Sequence, residues 1–223
     1  MDDAVALLVE NSGGSGSFFY AGAQLNQSGE AADAGTALLG DRVQLISMEI
    51  AEGQVTAEIV TQGPDEGMCC GTLKVRKTLA LQDGRLAEIA SEELGTVSLD
   101  DLMGTQWMLQ RLNFDQPALV EVTISADFAD GTVSGAGGCN SYTATVTSEG
   151  DQLMTVSPIA ATAMACDEEL DALEADYLAA LQAATGWRFF PGQLAVEYET
   201  EGGEQGTLFF NPAGSADAGG VSE

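Results

Sequence analysis

The chain reads as mainly β, of the α+β class, with two β-rich domains. Three observations carry this. Apolar residues alternate with polar ones along most of the chain, broken by the turn pairs Glu52-Gly53 and Asp83-Gly84 and by Ala129-Asp130-Gly131. Helical periodicity is sustained only between Asp167 and Ala184. The composition shifts to Glu, Ser and Gly between Ala90 and Asp101, which sets a boundary between domains of residues 1–95 and 100–211.

In the first domain Val5 to Val9 is a short apolar run, compatible with a strand or a helical turn. Gly13 to Ser17 is a loop by composition, Phe18 to Leu25 a strand, and the small, polar stretch Gln27 to Gly35 an exposed loop. Three clearer strands follow. Arg42 to Ala51 places Gln44, Ile46, Met48 and Ile50 on one face, and Gln54 to Gln62 does the same with Val55, Ala57 and Ile59. Thr72 to Gln82 sets Leu73, Val75, Leu79 and Leu81 against Lys74 and Arg76, and Arg85 to Ile89 completes an antiparallel meander. Lys77 breaks its strand's pattern by falling on the apolar side. It is either the cationic floor of a cleft or a lysine beside a bulge whose stem is buried while its ammonium reaches out.

The second domain opens with strands over Thr105 to Leu112 and Val120 to Phe128, then a hairpin into Thr132 to Gly135. Tyr142 to Thr147 alternates Tyr142, Ala144 and Val146 with three threonines, an amphipathic strand of β-formers. The helix carries Leu170, Leu173, Tyr177, Leu181 and Ala184 on one stripe. Asp167, Glu168 and Glu169 lie in its first turn, where the helix dipole favours negative charge, and Gly186 is placed to cap its end. Trp187 to Phe190, Leu194 to Thr200 and Thr207 to Asn211 are closing strands. The Gly, Ala and Ser tail, residues 212–223, is expected to be disordered.

Seven basic residues stand against 35 acidic ones among 223, a net charge of −28. Such a field repels nucleic acid and anionic membrane surfaces and attracts cations diffusely. It fits a saline habitat or plain solubility equally, and it opposes self-association, so a monomer is expected. No run reaches the roughly 20 apolar residues that a spanning helix needs. Four cysteines, no histidine and no C-x-x-C spacing argue against zinc and favour disulfides, hence an extracytoplasmic compartment reached with a signal or lipoprotein peptide since removed.

The chemistry on offer is sparse. Without histidine, Ser-His and Cys-His nucleophile systems are excluded. Carboxylates abound, yet Glu197 and Glu199 read as a solvated strand face and the acid clusters lack the ligand spacing of a calcium loop. Cys69-Cys70 is a candidate vicinal disulfide and the basis of a rival reading, thiol-redox chemistry or an enzyme. Its neighbours Asp65 and Glu66 would raise a thiol pKa and so count against a reactive thiolate. Trp187, Phe189, Phe190, Phe209 and Phe210, with Lys77, are the candidate ligand groove, or else core. No cofactor, metal site or catalytic residue is expected.

The motif Gly138-Cys139-Asn140-Ser141-Tyr142 followed by Thr162-Ala163-Met164-Ala165-Cys166 is distinctive. With Gly104-Thr105-Gln106-Trp107 before it and Gly192-Gln193-Leu194 and Leu208-Phe209-Phe210 after it, residues 100–211 resemble a META domain, the family that includes the heat-shock protein HslJ. The resemblance implies an exported or envelope-anchored protein, a partly open antiparallel barrel crossed by one α-helix, a Cys139–Cys166 disulfide and no known catalytic residues. Leu39 to Val43 and Gly63 to Cys70 resemble a β module found upstream of such domains in exported proteins, with Gly71 where that module often has proline. The chain thus reads as an exported, non-enzymatic binding or structural protein of the envelope, its partner a protein or a small apolar ligand.

Overall fold

The computed structural model describes residues 3–11, 13, 16–64, 66–67, 71–116, 121–149, 152–190 and 192–213. The candidate pair Cys69-Cys70 and all but the first two residues of the tail lie outside the described residues. The chain divides into two compact units, Met1–Val97 with Phe189–Gly192, and Ser98–Arg188 with Gln193–Glu223.

The first unit is built of two antiparallel sheets. One has β1 (Ala4–Glu10), β2 (Phe18–Gln27) and β3 (Glu30–Asp41), and the other β4 (Gln44–Ala51), β5 (Gln54–Thr61), β6 (Leu73–Gln82) and β7 (Arg85–Thr96), each in that order. The turns Ser28-Gly29, Glu52-Gly53 and Asp83-Gly84 have positive φ at both residues, the geometry whose twist matches a two-residue hairpin. The sheets share a core of Phe19, Ala21, Ala37, Leu39, Ala57, Ile59 and Leu79 with their neighbours.

Several local expectations change here, each for a physical reason. Gln27 to Gly35 is not an exposed loop: it turns at Ser28-Gly29 and runs on as β3, buried through Ala34 and Ala37, residues too small to mark a strand by hydrophobicity. The Glu-rich stretch after Ala90 continues β7 to Thr96, paired along β6. As the edge of its sheet it carries charges, which protect an exposed ladder, and composition alone mistakes it for a linker. In β4 a bulge at Ile46 switches faces, so Leu45 and Met48 pack on the core while Ile50 is exposed.

In the second unit a 3₁₀ turn (Leu99–Leu102) precedes β8 (Gln106–Leu112), β9 (Ser125–Ala129), β10 (Thr132–Ala136), β11 (Ser141–Thr147), β12 (Thr155–Val156) and β13 (Ala160–Ala161). After them come α1 (Glu168–Gln182), β14 (Ala184–Phe190), β15 (Gln193–Glu199) and β16 (Gln205–Pro212). The sheet order is β12-β11-β10-β9-β8-β16-β15-β14, with β13 also on β11. Its two ends meet at a seam, where Trp187 N–H donates to Gln152 O at 2.9 Å and Met154 N–H to Thr185 O at 3.2 Å. The result is a nearly closed barrel with that seam incompletely sealed. Helix α1 crosses it, burying Tyr177, Ala180 and Leu181 against interior residues such as Phe210.

Asp167 caps α1 by accepting from Leu170 N–H at 2.9 Å. The other end differs from expectation. The helix stops at Ala183 and passes into β14 at Ala184, so Gly186 is a strand residue at the seam rather than a cap. Likewise β9 is confined to Ser125–Ala129, shorter than the alternation from Val120 implies.

Candidate functional site

The motif cysteines bring three elements together. Cys139, between β10 and β11, is bonded to Cys166 at the start of α1, with Cα atoms 6.1 Å apart. Beneath the bond sits a polar clasp that sequence reading does not reveal. Glu174 on α1 is only 8% exposed. One of its carboxylate oxygens accepts from the N–H groups of Cys139 at 3.0 Å and Asn140 at 2.6 Å, and the other from Asn140 Nδ2 at 2.7 Å. Burial raises the Glu174 pKa, but those Asn140 and Cys139 donors outweigh it and hold the group below its ordinary value. Asn140 in turn accepts on Oδ1 from Thr162 Oγ1 at 2.8 Å and Met164 N–H at 2.7 Å. Its amide is thus used at both ends, which aspartate could not reproduce beside a carboxylate.

Gly137 is part of the same fit: a Cβ there would lie 2.8 Å from a Glu174 oxygen. Glu174 lies on the buried face of α1 with Tyr177 and Leu181, but its partner is 34 residues away and no local pattern links them.

Further in, Tyr142 donates to Ser125 O at 2.9 Å and lies 2.7 Å from the hydroxyl of Tyr177. Since the Tyr142 proton is committed to Ser125, Tyr177 donates to Tyr142. Burial pushes both phenols well up, with Asp127 adding to each, so they stay protonated and act as hydrogen-bonding core. Asp171 lies close to both sulfurs of the disulfide, but a bonded pair presents no thiolate, the form that binds metals.

The aromatic set is mostly interior. Trp187, Phe189, Phe209 and Phe210 are buried and Phe190 half-buried, so these side chains pack as core rather than as an open face. Lys77 lies in β6 between Ala57 of β5 and Ser91 of β7, and its Nζ reaches Glu88 at 2.8 Å. A bulge at Ile89 shifts β7 at this point, and the lysine stem is largely buried while its ammonium is paired. In the loop before β6, Glu66 accepts from Gly63 N–H at 2.7 Å, Thr72 N–H at 2.9 Å and the Thr72 hydroxyl. Gly71 packs directly on the backbone of Thr61, where any Cβ would lie 2.2 Å from its oxygen, so no larger residue fits without a shift of the backbone.

A cleft opens in the second unit, with a volume of about 390 Å³. The 3₁₀ turn forms one wall through Asp100 and Met103, held to the barrel by Trp107 Nε1 donating to Leu102 O at 3.1 Å. The floor is Phe128 and Val146, and Thr132 and Ser148 supply hydroxyls at the rim. No base lines it, so its chemistry suits a neutral or cationic ligand with an apolar body.

Among the described residues, no helix is long and apolar enough to cross a membrane. A comparison with curated proteins finds no match. Among solved structures, the NMR structure of a protein from Burkholderia xenovorans is 22% identical, covering 52% of this chain and 86% of its own, with a TM-score of 0.40. The family model described as META domain matches residues 100–212, about half of the chain and the whole of the barrel from the 3₁₀ turn to β16. On this match the chain belongs to the META domain family.

Proposed function

We propose that this is an exported, non-enzymatic protein of the cell envelope or exterior that works by binding, in a stress- or envelope-related role. The observation that carries the reading is the Cys139–Cys166 bond, whose Cys166 end is exposed to solvent. An exposed bond of this kind persists where the surroundings are oxidising and is reduced where glutathione and thioredoxin are active. Four groups with shifted acidity support the non-catalytic part, because Glu66, Glu174, Tyr142 and Tyr177 spend their hydrogen bonds on holding the fold. The cleft beside the 3₁₀ turn offers room for a small ligand.

The test is fractionation of the native host with rapid thiol alkylation. Recovery outside the cytoplasm with Cys139 and Cys166 resistant to alkylation is the expected result. Recovery in the cytoplasm with both thiols alkylated defeats it. The same labelled sample tests the redox alternative, since rapid alkylation at Cys69 and Cys70 together with turnover of a dithiol substrate would favour it.

A further inference from the structure

With 35 acidic residues in the chain, a base would be expected to find a carboxylate. Arg42, Arg76, Lys77 and Arg188 each do. Among the described residues the exposed Arg85 and Arg111 on β8 do not, and Arg111 differs in that its guanidinium faces two aromatic rings and no acceptor. Its Cζ lies 5.0 Å from the ring centre of Phe209 and 5.7 Å from that of Phe114. The rings meet edge to face with centroids 4.4 Å apart; Phe209 is 1% exposed and Phe114 61%.

The platform is fixed. Asn113, at φ 66°, exchanges hydrogen bonds with Thr207, donating its N–H to Thr207 O at 2.8 Å and accepting from Thr207 N–H at 2.7 Å on Oδ1. Its Nδ2 donates to the Tyr198 hydroxyl at 3.1 Å. The residue before Phe114 is therefore pinned to β15 and β16, which fixes where the Phe114 backbone begins. A guanidinium supported on ring faces keeps its planar fork of donors at the edge, the arrangement that receives a carboxylate on two parallel bonds.

We infer that Arg111 and Phe114 form a binding site for an organic monocarboxylate with an apolar body. The carboxylate takes the Arg111 fork, and the body lies on the exposed face of Phe114. The net charge of −28 sets the class, because the repulsion a ligand must overcome grows with its own negative charge; phosphates and polyacids are disfavoured. The inference rests on the reading of the protein as a binding module and gives that reading a ligand chemistry at a place distinct from the cleft.

The experiment is an NMR titration of the full chain with N-acetylphenylalanine, with its primary amide and inorganic phosphate as comparison probes. Saturable shifts at the Arg111 Nε–H and the Phe114 ring are expected with the acid and not with the amide or phosphate. Arg111→Ala should weaken binding roughly tenfold or more, as loss of a charged two-point contact does. Phe114→Ala should weaken it several-fold. Arg111→Lys, which keeps the charge but not the fork, must also weaken it, and stands in if Arg111→Ala does not fold. Equal binding of the amide, tighter binding of phosphate, or no saturation by roughly 10 mM acid overturns the site, weak single-site contacts lying in the millimolar range. Acid binding unaffected by either Arg111 variant also overturns it while leaving the binding reading intact. That reading fails instead on turnover of a dithiol substrate.

Discussion

The two units solve the same problem with different residues. The first packs its sheets through Ala21, Ala23, Ala34, Ala37 and Ala57, with Phe19 the one aromatic in the core cluster. The second fills its barrel with Trp107, Phe128, Tyr142, Tyr177, Trp187 and Phe210. An alanine lets two sheets approach closely but removes little surface from water, whereas an aromatic buries about 150–250 Å². Both units brace a loop with a carboxylate that collects N–H groups, Glu66 in one and Glu174 in the other. In the second unit that brace lies under a covalent bond and belongs to a helix. The barrel is therefore expected to be the more stable of the two.

The largest expected effect comes from emptying that barrel. Phe210→Ala should cost about 3–5 kcal/mol by loss of transfer energy and by the cavity left behind. Urea unfolding followed separately by tryptophan fluorescence and far-UV dichroism should show one transition move and the other stay. Both moving together by the same amount would break the comparison, since the units would then share a single cooperative core.

Replacing Cys139 and Cys166 with serine should cost about 3–4 kcal/mol, from the loop of 27 residues' separation that the bond closes in the unfolded chain. Because the clasp of Asn140 and Glu174 holds the same strap, the variant should remain folded at room temperature. A loss below about 1 kcal/mol would show that the clasp alone already orders the strap in the unfolded ensemble.

The smallest effect separates the two carboxylates by pH. Burial raises the pKa of each and its hydrogen bonds more than reverse this, so both lie below 4.5 in the folded state. Each contributes stability that is fully present above 4.5 and is lost as pH falls through the lower folded value. Glu174→Gln should cost about 1–3 kcal/mol at pH 7, since its amide meets N–H donors with a donor of its own, and should flatten the acid limb of the melting curve. Glu66→Gln should flatten it less, because Glu66 is less buried. An unchanged acid limb in Glu174→Gln would mean that other carboxylates carry the acid sensitivity.

What was legible in the sequence follows from range. The hairpins at Glu52-Gly53, Asp83-Gly84 and Asp130-Gly131 are local and were readable, as were the helix stripe through Tyr177 and Leu181 and the buried row Val55, Ala57 and Ile59. β3 was hidden because alanine signals neither strand nor core, and the end of β7 because an edge strand is charged. The family motif marked Cys139 and Cys166, but not why Asn140 stands between them and the rest. That reason is a carboxylate on a distant helix. Arg111 and Phe114 carry no local signal, one lying within the strand Thr105 to Leu112 and the other just beyond it. Only the fold shows an arginine resting on rings where acids are plentiful.

The position of β16 has a consequence for how the protein is made. It lies between β8 and β15, so the last strand of the barrel to leave the ribosome is central, and its partner β8 is the first strand of that unit. A nascent chain ending before Gln205 holds both flanking strands with the gap between them open, and cannot close the barrel at any intermediate length. Folding of this unit therefore waits until β16 has been made and then proceeds through a contact spanning about a hundred residues, a slow step. A unit with that property remains threadable until its last strand is made.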